Sequence, residues 1–332
     1  MTVHMEVSLG FWQDRPAGEA VRTASIVDSL GYRALWVGEM ATWDAFVLAS
    51  HVGRTFHHCD LVVGPLAVAV RDPAMIAMGA ASVAATTHRG VSVALGTSSP
   101  VVVEKWHGRD RSRSAVALAE SARACRALLD GAKADVRGER VHTIGYRLRL
   151  PAPRSELIIA AFGDQAIKVA ARYADRMVLN LVDPALVRVL VSKLRTAAAE
   201  LGRPCPRVAV WTTCAIDPGP DAIEQLRRGV VGYLAAPGYS DMFARAGYPD
   251  LVAYAQSRPH PTDLLAKVPA ELNRVVGLVG DSARVHARIQ EYANAGADDV
   301  VIVPSASDDD PAGERTLTLA AEIADRLAGD AP

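Results

Sequence analysis

The chain has 332 residues, half of them apolar and 22% charged, with 36 Lys and Arg against 37 Asp and Glu and a formal charge of −1. That balance describes a folded globular chain and supplies no electrostatic pull toward nucleic acid or an anionic membrane surface. The four cysteines (Cys59, Cys125, Cys205, Cys214) show neither C-x-x-C spacing nor a His at zinc distance, and read as reduced thiols with no metal site. Glu6 and Asp14 flank the first apolar run, unlike a signal peptide, and the longest apolar stretch, LVVGPLAVAV at 61–70, is half a membrane span. The expectation is a cytoplasmic protein.

In chain order, short runs rich in β-branched residues alternate with longer stretches of helical period. Strands are predicted at 5–10, 34–38, 60–68, 91–96, 157–161, 177–181, 207–214 and 299–303. Nearly all lack apolar/polar alternation, as parallel strands buried on both faces do. Helices are predicted near 18–30, 44–55, 73–86, 112–130, 164–173, 184–201, 282–295 and 312–328. In DSLGYRALWVGE a helix stops at Gly31 and a strand follows at once, a grammar repeated around Gly296 in YANAGADDVVIV.

Eight such pairs predict an α/β fold, the TIM (β/α)8 barrel, as one domain over 1–332. The surplus length lies between strands seven and eight, where about 218–280 holds a helical insertion with an SRPHP breaker. A doubly wound sheet would carry a Gly-rich fingerprint after its first strand. Here SLGFWQDRPAGE follows, and neither G-x-G-x-x-G nor a P-loop occurs anywhere.

In a barrel, function gathers where the strands end at their C-termini. Those positions hold few groups able to do chemistry alone, which suits a cofactor that brings its own. Thr97, Ser98 and Ser99 in GTSSPVVVEKWHG read in two ways: as turn formers and caps, or as a cradle of hydroxyls and N–H groups for a phosphate. Lys105, Arg109, Arg111 and Arg113 follow within nine residues and add weight to the second reading. Gly64–Pro65 inside the third strand predicts a bulge or an interrupted strand, because Pro cannot donate to the ladder. Glu39 is an acid, a hydrogen-bond acceptor or a plain loop carboxylate. His57, His58 and Asp60 lack the further ligands of a metal site. Trp12 and Trp211 at strand ends read as packing or as the wall of a ring-binding cleft.

SLGYRALWVGE (29–39), LVVGPLAVAVRDPAMIA (61–77), VSVALGTSSPVVVEKWHG (91–108), IIAAFGDQAIKVAARYADRMVLNLVDP (158–184), FARAGYPDLV (243–252) and VVGLVGDSARVHARIQEYANAGADDVVIVP (275–304) together carry a resemblance. The chain resembles the bacterial-luciferase-like superfamily and, within it, the deazaflavin (coenzyme F420)-dependent oxidoreductases. The resemblance implies a barrel with an insertion after strand seven, a homodimer, and a ring cofactor lying across the C-terminal mouth. It also implies a bulge with a cis peptide behind the ring, which falls at Gly64 and Pro65. The cofactor's phosphate side would lie on Thr97, Ser98, Ser99 and His107, and on Ala161, Phe162, Gly163, Asp164 and Gln165.

Many relatives carry a histidine directly after the acidic residue that ends strand two; here that position is Met40. Methionine cannot transfer a proton, so Glu39 becomes the candidate proton donor. Trp12, Met40 and Trp211 are the candidate substrate contacts, with Tyr233, Tyr239 and Phe243 from the insertion shaping a small organic substrate. The basic run fits the acidic tail of a deazaflavin better than the single phosphate of FMN. The expected activity is F420-dependent hydride transfer. The alternatives are an FMN-dependent monooxygenase and a cofactor-binding homologue without catalysis.

Overall fold

The computed structural model describes residues 3–39, 41–153 and 155–329. Eight parallel strands close into a barrel surrounded by helices: β1 (His4–Ser8), β2 (Ala34–Val37), β3 (Asp60–Ala67), β4 (Val91–Gly96), β7 (Leu157–Ala160), β8 (Arg176–Asn180), β9 (Arg207–Ile216) and β11 (Asp299–Pro304). The (β/α)8 barrel read from the strand pattern is the fold observed. Three further strands escaped the sequence reading: a hairpin of β5 (Asp135–Arg137) and β6 (His142–Ile144), and β10 (Leu278–Gly280) beside β9.

The chain divides into two compact units. One comprises Met1–Ile26, Leu179–Val191 and Val210–Pro332; the other comprises Val27–Val178 and Ser192–Ala209. In the first, β1 pairs with β11 in register from His4↔Asp299 to Val7↔Ile302. It also holds the insertion, where α7 (Pro220–Val231), α8 (Tyr239–Arg245), α9 (Pro249–Gln256), α10 (Pro261–Lys267) and α11 (Asn273–Val276) follow one another before β10.

The second unit is a run of neighbouring strands, β2–β3–β4–β7–β8, paired in parallel throughout. All four residues of β2, ALWV, are buried, which is why the run shows no alternation. Trp36 is fully buried, and the Arg176 guanidinium lies 5.3 Å from its ring. Helices α2 (Ala45–Gly53) and α3 (Pro73–Thr87) start on the side-chain caps of Asp44 and Asp72, and Pro73 stands in the first turn, where its missing N–H costs nothing. Among the described residues no helix is long and apolar enough to cross a membrane.

The histidine pair before β3 has a structural partner. Asp28, at the end of α1 (Glu19–Ser29), accepts the backbone N–H groups of His57, His58 and Cys59 at 2.9–3.1 Å, and His57 Nδ1 lies 3.1 Å from its carboxylate. Burial alone would raise its pKa, but those donors outweigh burial and hold it at about 2. A depressed carboxylate stabilises the fold above its unfolded pKa, and that contribution disappears as the pH falls from about 4 through 2. Asp28→Asn should therefore cost about 2 kcal/mol in urea unfolding at pH 7. The gap from the unsubstituted protein should close below pH 3; a gap unchanged between pH 7 and 2.5 would rule out this role.

Candidate functional site

Parallel register brings four strand ends of the second unit side by side. Val37 of β2 faces Val63, Ala67 of β3 faces Gly96, and Leu95 of β4 faces Ile159. Neighbouring strands lie about 4.8 Å apart. The residues leaving these strands, Glu39, Arg71, Thr97 to Ser99 and Ala161 to Gln165, thus belong to one continuous rim.

At the β2 end, Glu39 is gripped by Arg71. The guanidinium Nε donates to both carboxylate oxygens at 3.0 Å, and Nη2 reaches Glu39 Oε1 and Asp44 Oδ2. Asp44 also receives the N–H groups of Phe46 and Val47 at the start of α2, and Arg71 stands 5.4 Å from the Phe46 ring. One cation thereby ties both ends of the loop spanning 39–44. Its pKa is driven above the usual arginine value, first by the hydrogen bond it donates to Glu39; burial opposes this and Asp44 adds to it. Burial would raise the Asp44 carboxyl, but Arg71 and the two capped N–H groups hold it below the usual range. In this arrangement Glu39 is a hydrogen-bond acceptor. Met40 lies outside the described residues.

In β3 the strand runs through Gly64–Pro65 instead of restarting after it. The peptide is cis, and the register against β4 shifts between Val63 and Leu66. The sequence signal for a bulge was correct, and the alternative of an interrupted strand was not. A side chain on Gly96 would touch Pro65 and Ala160 at 3.5 Å, so the bulge stands directly beside the end of β4.

From there the hydroxyl loop departs. Ser98 has φ +56°, and its carbonyl accepts Arg111 Nε at 3.0 Å. Ser99 Oγ accepts the Val102 N–H at 3.3 Å, opening a six-residue π-helical turn, Val101–Trp106. The capping role therefore applies to Ser99. Among the described residues the hydroxyls of Thr97 and Ser98 have no hydrogen bond. His107 is exposed at the end of the turn.

The basic run, which reads as a single cluster in the sequence, is split by its partners. Arg113 is held 2.6 Å from Glu139. Lys105 and Arg109 are exposed and have no ion pair among the described residues.

At the fourth strand end, Ala161 is buried and its N–H donates to Val178, while Phe162 is half-buried. Helix α5 (Asp164–Tyr173) begins after Gly163 with no side chain over its first N–H groups, and open space surrounds Gly163. Asp164 is drawn to Lys193 at 2.7 Å, which lowers its pKa and neutralises the only acid at this helix start. Gln165 is exposed. Two uncommitted hydroxyls, an uncapped helix start and a paired-off carboxylate make a donor set suited to a phosphate.

In the first unit, Trp12 donates its indole N–H to Pro304 O at 2.9 Å and packs on Ala215, Leu226 and Val279. Trp211 is half-buried within β9, which continues to Ile216, so it stands inside the strand and not at its end. Asn180 joins the insertion's tyrosines: its Nδ2 donates to Tyr233 Oη at 3.1 Å, and Tyr239 Oη donates to its carbonyl at 2.8 Å. Burial pushes the Tyr239 phenol up, and Phe243 is wholly buried. Sequence reasoning assigned no roles to Arg71, Asp44 or Lys193. Arg71 and Asp72 directly after a strand were the available signal for the first.

Comparison with known proteins gives one family and one fold. The profile of the luciferase-like monooxygenase family matches residues 4–299. The coenzyme F420-dependent tetrahydromethanopterin reductase of Methanopyrus kandleri is 18% identical and has a TM-score of 0.83, over 97% of this chain and 98% of its own. An F420-dependent secondary alcohol dehydrogenase, solved with an F420–acetone adduct, is 16% identical with a TM-score of 0.77, covering 97% and 99%. The oxygenating constituent of 3,6-diketocamphane monooxygenase from Pseudomonas putida, solved with FMN, is 17% identical with a TM-score of 0.70, covering 98% of both chains. At such identities the structural likeness speaks for the fold.

Proposed function

The chain belongs to the luciferase-like monooxygenase family, and from that premise we propose that it is a coenzyme F420-dependent oxidoreductase acting on a small organic substrate. The observation that carries this reading is the charge beside the hydroxyl loop. Lys105, Arg109 and Arg111 face no carboxylate partner among the described residues, whereas Arg113 is neutralised by Glu139. One phosphate needs less positive charge than this; a phosphodiester followed by an oligoglutamyl tail makes use of it. The F420-dependent enzymes among the structural relatives are consistent with the same choice.

When bound, the deazaflavin supplies hydride transfer without oxygen activation. The protein's part is to hold and orient. Thr97, Ser98 and the open N–H groups at the start of α5 would hold the phosphate, and the Pro65 bulge would help hold the ring. Glu39 takes a proton from the substrate in the oxidative direction and returns it in the reductive one, with Arg71 fixing where its oxygens stand.

A second reading, FMN-dependent monooxygenation, is favoured by the family's own description and by the FMN-bound relative. Titrating oxidised F420 and FMN against the purified protein, followed by ligand fluorescence, separates the two. Micromolar F420 affinity, at least tenfold tighter than for FMN, is the expected result. FMN binding without F420 binding would replace the first reading by the second, and binding of neither would point to a homologue without catalysis.

A further inference from the structure

Arg111 differs from every other arginine near the rim. Its Nε is committed to Ser98 O at 3.0 Å, it is only half-exposed, and it has no ion pair among the described residues. A partly desolvated cation without a counter-charge is costly, and the cost falls when an anion arrives. With Nε engaged, the two Nη groups remain as a fork, the geometry that suits a phosphate.

The nearest acid in sequence is kept away from it. Asp110 accepts the N–H of Ser112 at 2.7 Å and its hydroxyl at 2.6 Å, and receives Arg140 Nη1 at 2.8 Å. Arg140 also donates to the Asp110 carbonyl at 3.0 Å. These contacts, Ser112 first, hold the Asp110 carboxyl at about 2. Arg140 sits in the turn of the β5–β6 hairpin, whose Glu139, Arg140 and Val141 N–H groups all donate to the Glu120 carboxylate at 2.8–2.9 Å. Glu120 lies on α4 (Ser114–Leu129), so the hairpin is pinned to the helix that follows the loop. Glu139, the acid beside Arg140, is taken by Arg113. Glu104, in the π-helical turn, makes no ion pair with Arg111.

We infer that Arg111 supplies the charge that joins Thr97 and Ser98 in binding the cofactor's phosphate, and that Arg140 is a positioning residue which draws Asp110 off it. This rests on the preceding reading only in requiring a phosphorylated ring cofactor, a property F420 and FMN share. The test pairs each cofactor with its phosphate-free form: FMN with riboflavin, and F420 with its deazariboflavin core, titrated into the full chain. Arg111→Ala should weaken the phosphorylated forms about tenfold or more and leave the phosphate-free forms within about twofold, with Arg111→Lys in between. Arg140→Ala should weaken the phosphorylated forms about threefold, and adding Asp110→Asn should restore them.

Equal loss on both members of a pair, no loss on either, or an unsubstituted protein without preference for the phosphate would overturn the role of Arg111. A loss in Arg140→Ala that Asp110→Asn leaves unrepaired would overturn the positioning role. Melting curves of each variant separate these losses from unfolding. FMN binding in place of F420 would defeat the functional reading above while leaving the Arg111 comparison fully measurable.

Discussion

Gly64→Ala should be among the most damaging single-methyl additions possible in this chain, costing about 4 kcal/mol or more. Gly64 sits at φ +122°, a region that L side chains rarely adopt, so any substitution there is strained. A Cβ would collide with the carbonyl oxygen of Ala94 on the neighbouring strand, and would stand 2.8 Å from Leu66 N and 3.0 Å from Ala94 C. These neighbours are backbone atoms of a paired strand, with no flexible end to swing aside, and misfit of this kind produces the large tail of mutational effects. Gly163→Ala supplies the control. Its φ of −87° is ordinary and nothing lies within 4 Å of the added methyl, so only the poorer N-cap should tell, at no more than about 1 kcal/mol. Urea unfolding of the two variants measures both numbers. A loss below about 1 kcal/mol at Gly64 would mean that the β3 bulge is not fixed by this close approach. Because Pro65 stands beside the end of β4, the Gly64 variant should also lose cofactor affinity in whatever fraction remains folded.

The barrel was readable because its strands are buried on both faces, and burial writes itself as unbroken apolar runs such as ALWV and LIIA. The rim positions followed from strand ends alone. What escaped was held by side chains remote in sequence. The hairpin strands are three residues each, too short for a pattern, and their turn is pinned by Glu120 from about twenty positions upstream. The division of the basic run depends on Glu139 and Arg140, which belong to that same hidden hairpin. The loop after β4 read as an approach to a helix start, and its π-helical turn has no compositional mark. Asp164 falls among the phosphate-side residues by its place after the strand, but the cation that neutralises it, Lys193, lies 29 positions on. Glu39 was noticed for its place, but its partner stands 32 residues away. The π-helical turn and the small hairpin apart, local propensity and burial wrote the fold, while long-range ion pairs tuned the site.

Arg71→Ala should cost about 2 to 3 kcal/mol, and the cost should be reduced by a substitution that is itself harmful in the unsubstituted protein. Arg71 holds Glu39 and Asp44 together, with the three side chains between a fifth and two-fifths exposed. Removing one member of a fully buried pair costs about 3–5 kcal/mol, and partial exposure discounts this. Without the guanidinium, two carboxylates of one loop are left facing each other unneutralised, and like charges at short range destabilise. Asp44→Asn removes that repulsion, and asparagine still caps α2, since it accepts N–H groups as aspartate does. With Arg71 present, Asp44→Asn merely discards an attractive contact and should cost about 0.5 kcal/mol. In the Arg71→Ala background the same change should instead regain about 0.5–1 kcal/mol, and the reversal of sign is the signature of a shared cation. A double-mutant cycle by urea unfolding at low salt reads this directly. Additive losses would mean that Arg71 serves only to pack over Phe46, with Glu39 free to move. High salt should shrink the reversal without abolishing the Arg71→Ala cost, because screening weakens the charge term and leaves the packing term in place.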